Sequence, residues 1–224
     1  QNAEVMSSSR SVRMNADSTR MVVEAMKKSG IKPNDSVVLL GHSQGGIVAA
    51  GIASDYSKQY NIKHVVTAGS PIANHAIPSK TWVTSIEMED ELVPTLDGAS
   101  NPSRNNWVTI HAVASKAVAS KSVNRNKRKE EDEENVSKQN RNKIGNTNRN
   151  TNRRPKNIFE KDGILVKNVP EEGTLTHDLN YHQAAYADAH QLASKEIRTQ
   201  ESHFNKILSG KLEETTLWQG VMQH

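Results

Sequence analysis

Cysteine is absent from the 224 residues. That excludes a disulfide framework and any thiolate chemistry, and it leaves the redox compartment open. No apolar run approaches membrane-spanning length, and no signal peptide is visible. Hydrophobic residues make up 34% of the chain and the mean hydropathy is −0.72. Both are low for a globular enzyme, although the length suffices for one domain with a real core. Part of the chain is therefore expected to lie outside that core. The nine histidines show no tight metal spacing, so no metal and no cofactor is expected.

The net charge of +4 is concentrated in one place. Ser115 to Asp162 holds 14 of the 29 Lys and Arg but only 7 of the 25 Asp and Glu, leaving 15 bases against 18 acids elsewhere. From Ser115 to Asn157 the chain is dominated by Asn, Lys, Arg, Ser and Glu, with no aromatic and almost no aliphatic residue. It includes Asn124-Arg125-Asn126-Lys127-Arg128-Lys129 followed by Glu130-Glu131-Asp132-Glu133-Glu134. Such a composition buries too little apolar area to offset chain entropy. A disordered, solvated insertion is expected at 115–157, between a core at 1–114 and the rest of that core at 158–224. No aromatic is available to stack on bases, so no specific nucleic-acid contact is expected. Charge alone allows contact with an anionic membrane surface.

What is present is a stretch around which the chain is organised: Ser36-Val37-Val38-Leu39-Leu40-Gly41-His42-Ser43-Gln44-Gly45-Gly46-Ile47-Val48-Ala49-Ala50. A strand-length apolar run leads into a small-residue turn, and a run of small and aliphatic residues suits a helix packed on a sheet. Gly41, Ser43 and Gly45 form Gly-x-Ser-x-Gly. A Ser at the tip of such a turn adopts a strained backbone and stands clear of the sheet. The glycines two before and two after it are expected because of close backbone approach. The helix N-terminus favours negative charge at the Ser, and the N–H of Gln44 is a ready oxyanion donor.

Gly41-His42-Ser43-Gln44-Gly45-Gly46, between that strand and that helix, resembles the nucleophile elbow of the α/β-hydrolase family, lipase and esterase branch. The resemblance runs from about Asn15 to Gly210, interrupted by the insertion. It implies a mainly parallel sheet with flanking helices, and only the C-terminal part of that fold. Family members place several strands before the elbow, with an early loop that supplies a second oxyanion N–H; neither pattern is seen upstream here. Weak activity and stability are therefore expected of this chain alone.

Along the chain, Gln1 to Met14 reads as a polar lead-in. Met21, Val22, Ala25 and Met26 recur at helical spacing before Gly30. Ile62–Thr67, Trp82–Met88 and Asn105–His111 read as further strands. The second ends in Glu89-Asp90-Glu91-Leu92-Val93-Pro94, where the family commonly carries its triad acid; the resemblance points to Asp90, with Glu91, Glu89 and Asp97 as rivals. Ser70 and His75 read as loop residues. A long helical stretch carries Ala185, Ala189, Leu192, Ala193 and Ile197 on one face.

The family order Ser, Asp, His then requires a histidine beyond the last strand. His177 opens a helix, with Tyr181 placed to pack near it. His182 is the main rival, more than one helical turn away, and His111 is a further candidate. His42 is expected to shape the elbow. The implied reaction is hydrolysis of a small-molecule or lipid carboxylic ester by Ser43, His177 and Asp90. The alternatives are acyl transfer by the same triad and an inactive scaffold working through its charged insertion. Localisation and oligomeric state are not legible.

Overall fold

A computed structural model of the chain describes residues 2–89, 91–114, 164–166, 177–192 and 194–220. The chain divides into two units, Gln1–Ser115 with Pro155–His224, and Lys116–Arg154. The second unit lies outside the described residues, as does the whole insertion expected at 115–157.

Five strands form one parallel sheet in sequence order: β1 (Ser36–His42), β2 (Asn61–Ala68), β3 (Trp82–Met88), β4 (Trp107–Ala114) and β5 (Ile164–Val166). The first four are those the apolar runs predict; β5, three residues long, is an addition. Helices flank both faces: α1 (Asn2–Val5), α2 (Arg10–Asn15), α3 (Asp17–Lys28), α4 (Gln44–Asp55), α5 (Leu179–Leu192) and α6 (Lys195–Ile207). The parallel α/β architecture with flanking helices is thus as expected.

Alternation along the strands divides the core in two. Val65 of β2 and Val83 of β3 face α4, whose Ile47, Val48, Ala49, Ile52 and Ala53 pack against them. Ile86 and Met88 of β3, with Val108, Ile110 and Ala112 of β4, face Tyr181, Ala185 and Ala189 of α5 and Ile197 of α6. The small residues of α4 bring its axis close to β1 and β2, so its N-terminus sits directly beyond the end of β1.

Two expectations change. The lead-in is not a loop but contains α1 and α2, because tertiary contacts hold it. The Arg13 guanidinium forks onto the buried Asp55 carboxylate at 2.7 and 2.8 Å, and Val5 is buried in the α4-side core. The C-terminal helix is not continuous either. Ser194 breaks it, and its hydroxyl accepts from the N–H of Ile197 as an N-cap for α6. Ala185, Ala189 and Ile197 keep the expected packed face, whereas Leu192 is exposed and Ala193 lies outside the described residues.

Candidate active site

β1 delivers Ser43 to the C-terminal edge of the sheet, where α4 begins. Ser43 has φ 55° and ψ −125°, the one non-glycine residue at positive φ among those described. Its N–H donates to the carbonyl of Ala68 at the end of β2, 2.9 Å away. Its carbonyl accepts from the N–H of Gly46 at 3.0 Å and from the Ser70 hydroxyl at 2.8 Å. The strained tip is therefore held on both sides of its peptide. Gln44 is the first residue of α4, so its N–H belongs to the helix's unpaired first-turn donors.

The elbow glycines have different reasons to be glycine. A Cβ on Gly41 would lie 2.3 Å from the backbone of Gly45, and one on Gly46 would lie 2.1 Å from the Ser70 Oγ. Ser70, far from being an ordinary loop residue, is buried and braces the turn. The crowding expected at Gly45 is absent: a Cβ there meets nothing within 4 Å, because it points out of the turn into solvent. Gly45→Ala is accordingly expected to stabilise the protein by up to about 1 kcal/mol through helix propensity, without loss of function; thermal melting and ester turnover check this.

His177 stands just before α5, with its Nε2 2.7 Å from the Ser43 Oγ. Its Nδ1 bonds to Oε1 of Glu91. Its backbone carbonyl accepts from Nε2 of His42 at 2.7 Å, so His42 fixes the loop that carries the imidazole. Glu91 lies in a tight turn after β3, where its N–H donates to the carbonyl of Met88. Asp90, the acid the resemblance points to, lies outside the described residues; the carboxylate that meets His177 is that of its neighbour Glu91. Glu89 is exposed, and Asp97 instead accepts from the N–H of Ala73 at 2.8 Å, tying two loops together.

His182, the rival more than one helical turn away, meets the same carboxylate. Its Nε2 lies 3.0 Å from Oε2 of the same Glu91, so the two imidazoles take one carboxylate oxygen each. Burial raises the affinity of Glu91 for a proton. The hydrogen bonds from His182 and His177 outweigh that and hold its carboxyl below the usual carboxylate range. Gly69, at φ +57°, passes directly beneath the group. Nothing in the sequence singled it out beyond its place before Ser70-Pro71.

The other histidines do other work. His111 faces Glu87, with Nδ1 3.7 Å from Oε2. His75 is not solvated but buried, with Nε2 3.2 Å from the Val5 carbonyl. Among the described residues, no three His, Asp or Glu side chains are arranged to hold a metal ion.

A cavity of about 540 Å³ adjoins the site on the α5 and α6 side of the sheet. Leu40, Val66, Ile86, Leu179, Tyr186 and Phe204 supply apolar walls, and Gly41, His42 and His182 join it to the elbow. It can hold an apolar chain.

The family model described as PGAP1-like alpha/beta domain matches residues 4–144, more than half of the chain. The matched residues include Ser43, Gly69 and Glu91; His177 and His182 lie beyond them. No curated protein and no solved structure matches the chain.

Proposed function

The chain belongs to the PGAP1-like alpha/beta domain family of the alpha/beta hydrolase superfamily, and on that premise we propose that it is a serine hydrolase of carboxylic esters. The observation that carries this reading is the relay from Ser43 through His177 to Glu91. Oγ lies 2.7 Å from Nε2, and Nδ1 is bonded to a buried carboxylate.

In this reading Nε2 of His177 takes the Ser43 proton as Oγ attacks the ester carbonyl carbon. Glu91 accepts from Nδ1–H, fixes the tautomer and stabilises the imidazolium that forms. The N–H of Gln44 stabilises the oxyanion. His177 then protonates the departing alcohol, leaving an acyl-Ser43. Water enters and attacks the acyl carbon as His177 removes its proton; the bond to Oγ then breaks, His177 returns the proton to Oγ, and the carboxylic acid leaves. The apolar walls beside the elbow favour an ester with an apolar chain over a fully polar one.

Fluorophosphonate labelling followed by intact mass tests this. A single adduct is expected on the wild type and none on Ser43→Ala or His177→Ala. Glu91→Gln is expected to suppress labelling and Asp90→Asn to leave it; the reverse result gives the acid's role to Asp90. A wild-type chain that takes no adduct, or a Ser43→Ala chain that keeps it, overturns the reading.

A further inference from the structure

Glu91 reaches His177 from a tight turn, not from a rigid strand. Its side chain has three rotatable bonds, and the last of them, which sets the carboxylate plane, has a broad and weak preference. A carboxylate able to rotate would present Oε1 to Nδ1 only part of the time. Something must hold the second oxygen. The Met88 N–H donates to Oε2 only across a long N···O distance of 3.4 Å, a weaker hold than a bond at ordinary length. The group at proper distance is Nε2 of His182, 3.0 Å away.

His182 is itself immobile. Its side chain is 0% exposed, and it sits in the first turn of α5. Its Nδ1 lies 3.0 Å from the carbonyl of Asp178. That contact seats the ring edge against the first turn of the helix. The opposite nitrogen faces Oε2, and in its Nε2–H tautomer the ring donates to that carboxylate oxygen. The bond is charge-assisted and shielded from water, the setting in which such a bond orients its partner best. The His42 ring lies edge-on to His182 at 5.5 Å, and the closeness of Gly69 leaves no room for the pair to slide.

We infer that His182 is a positioning residue for ester hydrolysis: it holds Oε2 of Glu91 so that Oε1 stays aligned with Nδ1 of His177. Its ring nitrogens meet Asp178 and Glu91 rather than Ser43, and it acts on the reacting atoms only through Glu91. This inference rests on the hydrolase reading above.

Two substitutions separate the two ends of the ring. Asparagine places its amide where Nδ1 stood, keeping the bond to Asp178 but not reaching Glu91. Glutamine places its amide where Nε2 stood and still donates to Glu91. With p-nitrophenyl butyrate as substrate, His182→Asn is expected to lower kcat about 10- to 100-fold with KM within about twofold, the usual scale for losing a group that orients a catalytic ligand. His182→Gln is expected to stay within about fivefold of wild type on the same scale. A residue that merely pins α5 would reverse that order, since only asparagine keeps the helix bond. Equal losses in both variants, a loss carried by KM, or full activity in His182→Asn overturns the inference.

¹⁵N-histidine NMR reads the same bond without altering His182. The wild type is expected to show a slowly exchanging Nε2–H for His182 that moves in Glu91→Gln. Its absence from the folded wild type overturns the inference even where the Asn variant fails to fold. His177→Ala separates the two readings: if it keeps full turnover, the hydrolase reading fails; if it is dead while His182→Asn is fully active, only the role of His182 fails.

Discussion

Gly69→Ala is expected to lower ester turnover about 10³- to 10⁴-fold while the chain stays folded, the scale seen when a triad acid no longer holds its histidine in the right tautomer. Two costs arise at this position, and they differ in kind. The first is backbone strain: at φ +57° a Cβ costs about 1–2 kcal/mol, a stability effect that would not by itself touch catalysis. The second is collision. The new Cβ would lie 2.4 Å from Oε1 of Glu91, 2.9 Å from Nε2 of His182 and 3.0 Å from Nδ1 of His177. A single methyl group would thus wedge into the joint between the acid and both imidazoles. Glu91 Oε1 must give way, and moving it pulls the carboxylate off Nδ1 of His177. Gly98 supplies the control. It too is left-handed, at φ +68°, but a Cβ there meets nothing within 4 Å. Gly98→Ala should lower the melting temperature by a similar strain and leave kcat unchanged. If both variants lose activity alike, strain rather than the wedge is responsible and the geometry beneath Glu91 is wrong.

Those particulars mark the limit of what the sequence carried. The elbow was legible because its reasons are local. A β-branched strand, a glycine under a tight turn and a small-residue helix all lie within fifteen consecutive residues. His177 is the candidate base because few histidines follow the last strand that the apolar pattern predicts. For the acid the resemblance points to Asp90 and leaves Glu89 and Glu91 as rivals, since the three are adjacent carboxylates. Which of them turns inward depends on a turn whose geometry no spacing rule encodes. His182 reads as a rival of His177 because both lie beyond the last predicted strand, and the helical spacing between them argues against a shared role. That argument neglected a third group, Glu91, with two oxygens to share. Gly69 and Ser70 looked like punctuation because their partners lie on other strands. The lead-in helices were missed for the same reason: Arg13 is an ordinary polar residue until Asp55, on α4, meets it.

Buried titratable groups away from the site set a second large effect, on stability. Glu87, on β3, is pushed up to about 7 because burial disfavours its charge; the bond from Asn101 opposes the shift without cancelling it. Between about 4.5 and 7, therefore, the folded chain holds a proton on Glu87 that the unfolded chain has lost, and stability falls as pH rises through that window. His64, on β2, carries the opposite sign. Burial first, and the nearby His203 second, depress it to about 4. Between about 6.5 and 4 the unfolded chain binds the proton and the folded chain does not, so stability falls as pH drops. The two slopes overlap and oppose each other in their shared range. Glu87→Gln removes one of them. It keeps an oxygen to accept from Asn101 and never ionises, so it should match wild type near pH 4 and exceed it by on the order of 3 kcal/mol at pH 8. Urea midpoints for both chains at the two pH values measure this. A gain of equal size at both would mean that packing, not a buried charge, separates glutamate from glutamine here.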